Sequence, residues 1–213
     1  MAYQHLTILG DSITDRRNHY ATKWYYDWLA EWQAIPKVTN LGISGSTIAP
    51  PYDPMVQRWQ AIPTDTDLLL IYAGVNDFGR DTPLGQFGDQ TTATFYGALS
   101  QLLGRIKRQR PMADCYFISH VMIGTTFFPA VNHWGYRQID YEQAIQKVTT
   151  AFAVAHISLY QHPELSFANA GQADRLSLDT LHPNDAGHLA IAKVLNLNLE
   201  TNEKDHFNEV ALF

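Results

Sequence analysis

The stretch Leu68-Leu-Leu-Ile-Tyr-Ala73 carries no polar residue that could mark a solvent side. A strand built this way must be covered on both faces, as a central strand of a parallel sheet is. Around it, apolar runs that suit strands alternate with stretches of helical period. Leu6 to Leu9, Lys37 to Leu41, Cys115 to Val121 and Ile157 to Tyr160 read as further strands. Ala21, Trp24, Tyr25, Trp28, Leu29 and Trp32 recur at i, i+3, i+4, i+7, i+8 and i+11, the mark of an amphipathic helix. Met55, Val56 and Trp59 suggest a short helix. Phe95, Leu99, Leu102 and Ile106 mark another, stopped by Pro111, and Tyr141, Ile145, Val148 and Phe152 the next. Asn184 reads as the N-cap of a last helix carrying Leu189, Ile191, Val194 and Leu195. This βα alternation predicts an α/β protein with a mostly parallel sheet and helices on both faces.

A chain of 213 residues is close to one domain at roughly 150 residues each. With 46% hydrophobic and 17% charged residues it can fill a core. The expected division is one domain over 1–200 and a tail over 201–213. Phe207, Val210, Leu212 and Phe213 of the tail should pack on the same subunit or on a neighbouring one, which would make a homo-oligomer. A net charge of -6 speaks against a nucleic-acid binder and offers no attraction to an anionic membrane. Cys115 is the only cysteine, so an intrachain disulfide and a Cys-rich metal site are excluded, and a buried inert thiol is expected. The longest apolar run, Leu68 to Val75, is far short of a membrane span. The opening residues read as a first strand, not a signal peptide, and the expected location is cytoplasmic.

In such sheets ligands bind beyond the carboxyl ends of the strands. Four stretches there or just before the last helix carry candidate chemistry. Gly10-Asp11-Ser12-Ile13-Thr14 puts a hydroxyl at the sheet edge, or else Asp11 or Ser12 caps a turn. Gly45, in the loop after the second strand, lets bare backbone N–H approach a ligand, or is an ordinary loop glycine. Asn76, after the third strand, can donate to a developing oxyanion or hold a turn. Asp179 and His182, three apart, can bring a carboxylate to one imidazole nitrogen and leave the other for a serine. The same pair also suits a helix-capping turn. A metal set of His182, Asp185 and His188, supported by Asp179, is a weaker reading, because the two histidines lack the i, i+4 spacing of a helical pair.

Taken together and in this order, the four blocks resemble the SGNH hydrolases, also called the GDSL lipase/esterase family. Gly10-Asp11-Ser12-Ile13 is similar to the first block, with Ile in place of Leu. Gly45 matches the second-block glycine, Asn76 the third-block asparagine, and Asp179 with His182 the Asp-x-x-His block. The resemblance spans residues 6 to about 200. It implies a three-layer α/β/α sandwich around a flavodoxin-like, five-stranded parallel sheet. It also implies Ser12 as nucleophile, His182 as base and Asp179 as orienter, with an oxyanion hole from the N–H groups of Ser12 and Gly45 and the Asn76 side chain. No metal or organic cofactor is implied.

The expected substrate is a small-molecule carboxylic ester, with short acyl groups such as acetyl on a carbohydrate or small alcohol. Lipase, lysophospholipase or thioesterase action on longer chains is the alternative, and a non-catalytic binding protein of the same fold a third reading. Phe127, Phe128 and Trp134, in a stretch that follows the fourth strand, read as a wall for the substrate or as a local mini-core. Asp11 is counted with them as a substrate contact. Arg16 and Arg17 could meet a polar leaving group or be solvated.

Overall fold

The computed structural model describes residues 2–210, with side chains as far as residue 200. Five strands, β1 (His5–Gly10), β2 (Lys37–Gly42), β3 (Leu68–Tyr72), β4 (Asp114–Ser119) and β5 (Ala155–Ser158), form one sheet. Their order is β2-β1-β3-β4-β5, and every pairing is parallel. The helices are α1 (Tyr25–Trp32), α2 (Met55–Arg58), α3 (Val75–Gly79), α4 (Phe95–Gln109), α5 (Gln138–Ala151), α6 (Ala170–Leu176) and α7 (Asp185–Val210). The chain leaves β1 to one side for β2 and returns to the other side for β3. The crevice where such a sheet binds ligands therefore opens between β1 and β3.

Each strand sends alternate residues to opposite layers, which explains the unbroken apolar run of β3. Leu69 and Ile71 join Leu9 and Phe117 against α2, α4 and α5. Leu68, Leu70 and Tyr72 join Leu6, Ile8, Tyr116 and Ile118 against α1, α6 and α7. Each large side chain so buried contributes about 1.5–3 kcal/mol, so neither layer can be left wet. The three-layer sandwich is thus the fold, as expected.

Boundaries differ from the sequence reading for local reasons. Helix α1 begins at Tyr25 because the Asp27 carboxylate accepts from the Trp24 N–H and caps the helix there. Ala21 and Trp24 lie ahead of it, although Trp24 still packs in the core. Strand β5 runs from Ala155 and stops at Ser158, where the chain tightens into a 3-10 turn. Cys115 has its thiol pushed up to about 12 by burial, in keeping with an inert group. Among the described residues no helix is long and apolar enough to cross a membrane. The side chains of the tail residues Phe207 and Val210, and Leu212 and Phe213 altogether, lie outside the described residues.

Candidate active site

The loop after β1 is a tight turn in which the Asp11 carbonyl accepts from the N–H groups of Thr14 and Asp15. This turn lifts Ser12, 9% exposed, to the mouth of the β1/β3 crevice. Its carbonyl is fixed by Asn18 Nδ2 at 2.5 Å. Ser12 Oγ lies 3.0 Å from His182 Nε2, and His182 Nδ1 lies 2.7 Å from Asp179 Oδ2. Both distances are in the range for direct proton transfer and orientation. Asp179 does two jobs. Its Oδ1 accepts from the N–H groups of Leu181 (3.1 Å) and His182 (2.7 Å), which closes the turn, while Oδ2 holds the ring. The turn-capping and ring-orienting readings are therefore both realised. Burial works against the Asp179 carboxylate, but the His182 and Leu181 N–H groups and the imidazole outweigh it and hold its pKa below the usual range. Asn184 caps α7 directly after this turn, accepting from the Gly187 N–H.

The β2 loop is braced from three sides. Gly42 abuts the Asp15 backbone so closely that a Cβ there would stand 2.6 Å from Asp15 N. Asp15 accepts from Ser44 N and Ser44 Oγ, both at 2.9 Å. The half-buried Arg58 guanidinium donates to the carbonyls of Gly10 and Leu41 and to Ser46 Oγ, and desolvation pulls its pKa down to about 10. Asp77 accepts from the N–H groups of Ile48 and Ala49, at 2.8 and 3.1 Å. Burial raises the Asp77 pKa to about 7 despite these donors. Gly45 itself has φ +79°, a conformation that a side chain disfavours.

Among the described residues, neither the Ser12 nor the Gly45 N–H has an acceptor. Asn76, at the start of α3, donates through Nδ2 to the Ser46 carbonyl at 3.1 Å and to Asp11 Oδ2 at 3.4 Å. The three candidate oxyanion donors thus follow the carboxyl ends of β1, β2 and β3, Ser12 and Gly45 in loops and Asn76 in the first turn of α3.

Asp11 is a correction. It is fully buried, and its carboxylate accepts from Ile13 N (3.0 Å) and from His120 Nε2 (3.0 Å) beneath the crevice. It braces the nucleophile loop and cannot meet substrate. The aromatic stretch divides. Phe127 stands edge-on to His182 with ring centroids 5.3 Å apart. Phe128 turns inward onto Gly79 and the core. Trp134 is tied by Nε1 to the Asp81 carbonyl at 2.7 Å and is not brought against the triad. Buried Asn132, which accepts from Trp134 N and Tyr136 N, organises this loop as a small core of its own. Arg17 is spent on Asp15 and the Gly42 carbonyl, and Arg16 on Asp27. Both line a cleft of about 450 Å³ on the β2 side of the loop. His182, Asp185 and His188 do not converge: Asp185 accepts from Thr22, and His188 is buried against Trp24 and Tyr25. Among the described residues no three metal-ligating side chains cluster.

Sequence reasoning missed Tyr20, His120, Arg58 and Asp77. The Tyr20 ring lies 4.6 Å from that of His182, so both Tyr20 and Phe127 pack against the imidazole. Asp77 alone had a local signal, standing next to Asn76.

A serine, a histidine and a carboxylate converging at the carboxyl edge of a parallel sheet form the side-chain arrangement of a serine hydrolase. Residues 8–190 match the GDSL-like Lipase/Acylhydrolase family, and the chain belongs to it. A crystal structure of a protein from Lactobacillus plantarum, 46% identical, superposes with a TM-score of 0.90 over 94% of this chain and 98% of that one. A protein from Chitinophaga pinensis described as a possible lipase shares the fold, at 19% identity and a TM-score of 0.73 over 98% and 99% of the two chains. So does a two-domain esterase active on acetylated mannans, at 21% identity and a TM-score of 0.66; the match covers 93% of this chain and 48% of that one. No curated protein matches the chain.

Proposed function

We propose that the protein is a metal-independent serine esterase that cleaves carboxylic esters through an acyl-enzyme. The observation that carries this reading is the unbroken line from Ser12 Oγ to His182 Nε2 (3.0 Å) and from His182 Nδ1 to Asp179 Oδ2 (2.7 Å). His182 takes the Ser12 proton as Oγ attacks the ester carbonyl. The charge that develops on the carbonyl oxygen is met by the N–H groups of Ser12 and Gly45 and by the Asn76 amide. As the intermediate collapses, His182 returns the proton to the departing alcohol. Water then repeats the cycle on the acyl-enzyme and releases the acid.

The preferred ester is a short acyl one, acetyl above all, on a carbohydrate or small alcohol. Two features favour it. Tyr20 and Phe127 expose ring surface beside the base, suited to stacking on a sugar. The related two-domain esterase acts on acetylated mannans. The test is a series of p-nitrophenyl esters of increasing acyl length, together with acetylated sugars, with Ser12→Ala as the blank. Acetyl esters are expected to turn over fastest, with no loss in a chelator. A rise with chain length would favour the lipase or thioesterase alternative. Absence of Ser12-dependent hydrolysis on every ester would overturn the reading.

A further inference from the structure

Arg80 is an unspent cation at the mouth of the candidate oxyanion hole. It follows α3 directly and stands four residues after Asn76, to whose carbonyl its own N–H donates at 2.9 Å. Residues i and i+4 share a helix face, so Arg80 continues the Asn76 face one turn outward. Its guanidinium reaches back across the crevice to the β2 loop. A Cβ built on Gly45 would meet Arg80 Nη2 at 2.8 Å. The group is thus laid against the glycine whose N–H has no acceptor. It is also held in place, with Cζ 4.5 Å from the centre of the Tyr52 ring, an orientation that stacking fixes without using any N–H donor. Among the described residues the Arg80 guanidinium makes no hydrogen bond and no ion pair. The other arginines at this edge differ: Arg16 and Arg17 are paired with carboxylates, and Arg58 is consumed by backbone carbonyls and Ser46.

A planar, oriented guanidinium with free donors is suited to the two oxygens of a carboxylate or phosphate. The protein carries a net charge of -6, which on average repels anions. A cation laid against Gly45 opposes that field locally. From this we infer that Arg80 selects esters bearing an anionic group, a carboxylate or a phosphate, close to the scissile bond. The inference rests on the esterase reading above and narrows its substrate class.

The test pairs 4-acetoxybenzoate with its neutral methyl ester, and 4-acetoxyphenyl phosphate with its neutral dimethyl ester. The ratio of kcat/KM for charged over neutral ester is measured in wild type, Arg80→Gln and Arg80→Lys. Because each ratio is compared between proteins, intrinsic reactivity cancels. A charge-assisted contact predicts that Arg80→Gln lowers one or both ratios about ten- to a hundredfold, mainly through KM. Arg80→Lys retains part of the preference, and 0.5 M salt narrows it in wild type. Whichever pair responds more strongly identifies the anion. Ratios that move less than about twofold in Arg80→Gln overturn the inference. Calorimetric binding of the charged esters to Ser12→Ala, compared with the Ser12→Ala, Arg80→Gln double variant, decides the point without turnover. If wild type hydrolyses none of the esters, the esterase reading falls. Arg80-dependent binding then still upholds the anion site, and Arg80-independent binding or no binding removes it.

Discussion

Ser12 and His182 exchange one proton between two atoms, so on the esterase reading neither is useful without the other. Ser12→Ala and His182→Ala should each lower kcat by roughly 10⁴–10⁶-fold, and the double variant should cost little more than either alone. Additive losses, read in kcat with unfolding checked by circular dichroism, would mean the two residues do not act as a unit. Asn76→Ala should lower kcat by roughly 10²–10³-fold, the usual cost of one oxyanion donor, with KM changed far less. A loss confined to KM would instead make Asn76 a substrate-positioning group. These residues were legible in the sequence because each sits in a short turn whose geometry is local. Asp179 closes on residues two and three positions away, and Ser12 follows its strand at once. Asp11 was misread for the opposite reason. Its decisive partner, His120, lies 109 residues further on, and no local pattern announces that a histidine will fill the space beneath it. Tyr20 escaped notice in the same way, since its partner His182 lies 162 residues on, and Arg58 because its carbonyl partners are set by strand ends that only the fold brings to it.

Helices α1 and α7 pack side by side, and His188 is the polar group trapped between them. It is 1% exposed, its ring lies against Trp24 and Tyr25, and among the described residues its Nδ1 has no hydrogen-bond partner. Burial drives its pKa down to about 4, and the nearby Asp185 only partly offsets this. The sign follows directly. Between about pH 6.5 and 4 the unfolded chain takes up a proton that the folded one refuses, so stability rises with pH across that window and is lost as pH falls through it. His188→Leu removes this group from the balance. Its unfolding free energy relative to wild type, measured by urea titration at pH 7 and pH 4, should improve by on the order of 3 kcal/mol on acidification. A difference between the two proteins that does not change with pH would show that His188 is not held neutral. The helices themselves were visible as apolar periodicity, because 3.6-residue spacing survives in any helix with one buried face. Asn184 also marked the start of α7, whereas the first residue of α1 was not visible. Trp24 continues the apolar pattern of α1 but sits outside the helix, because the pattern records burial and the boundary records a cap.

The sheet as a whole was legible as parallel and two-sided from β3, yet strand order is a property of the assembled molecule, and it is the order that sets Ser12 and Asn76 on either side of the crevice. The same geometry constrains the C-terminal tail. Helix α7 starts at the site edge, immediately after the His182 turn, and runs back along the strands beside α1. Asn196 meets Gln33, which follows α1, at 2.7 Å, and Leu199 packs in the layer that α1 and α7 share. Twenty-six residues at 1.5 Å rise make the helix about 39 Å long, about twice the length of a six-residue strand, so its last turns are carried well away from Ser12. Deleting residues 203–213 should therefore leave kcat/KM for an acetyl ester within about twofold, since no core residue through Leu199 is removed. Light scattering on both forms reports separately on assembly. If the full chain is an oligomer and the shortened one a monomer with the same kcat/KM, the tail is the contact between subunits. If instead activity falls more than about tenfold while the melting temperature holds, a tail from a second subunit must reach the catalytic edge, and the subunits must be arranged with that edge against their neighbour's terminus.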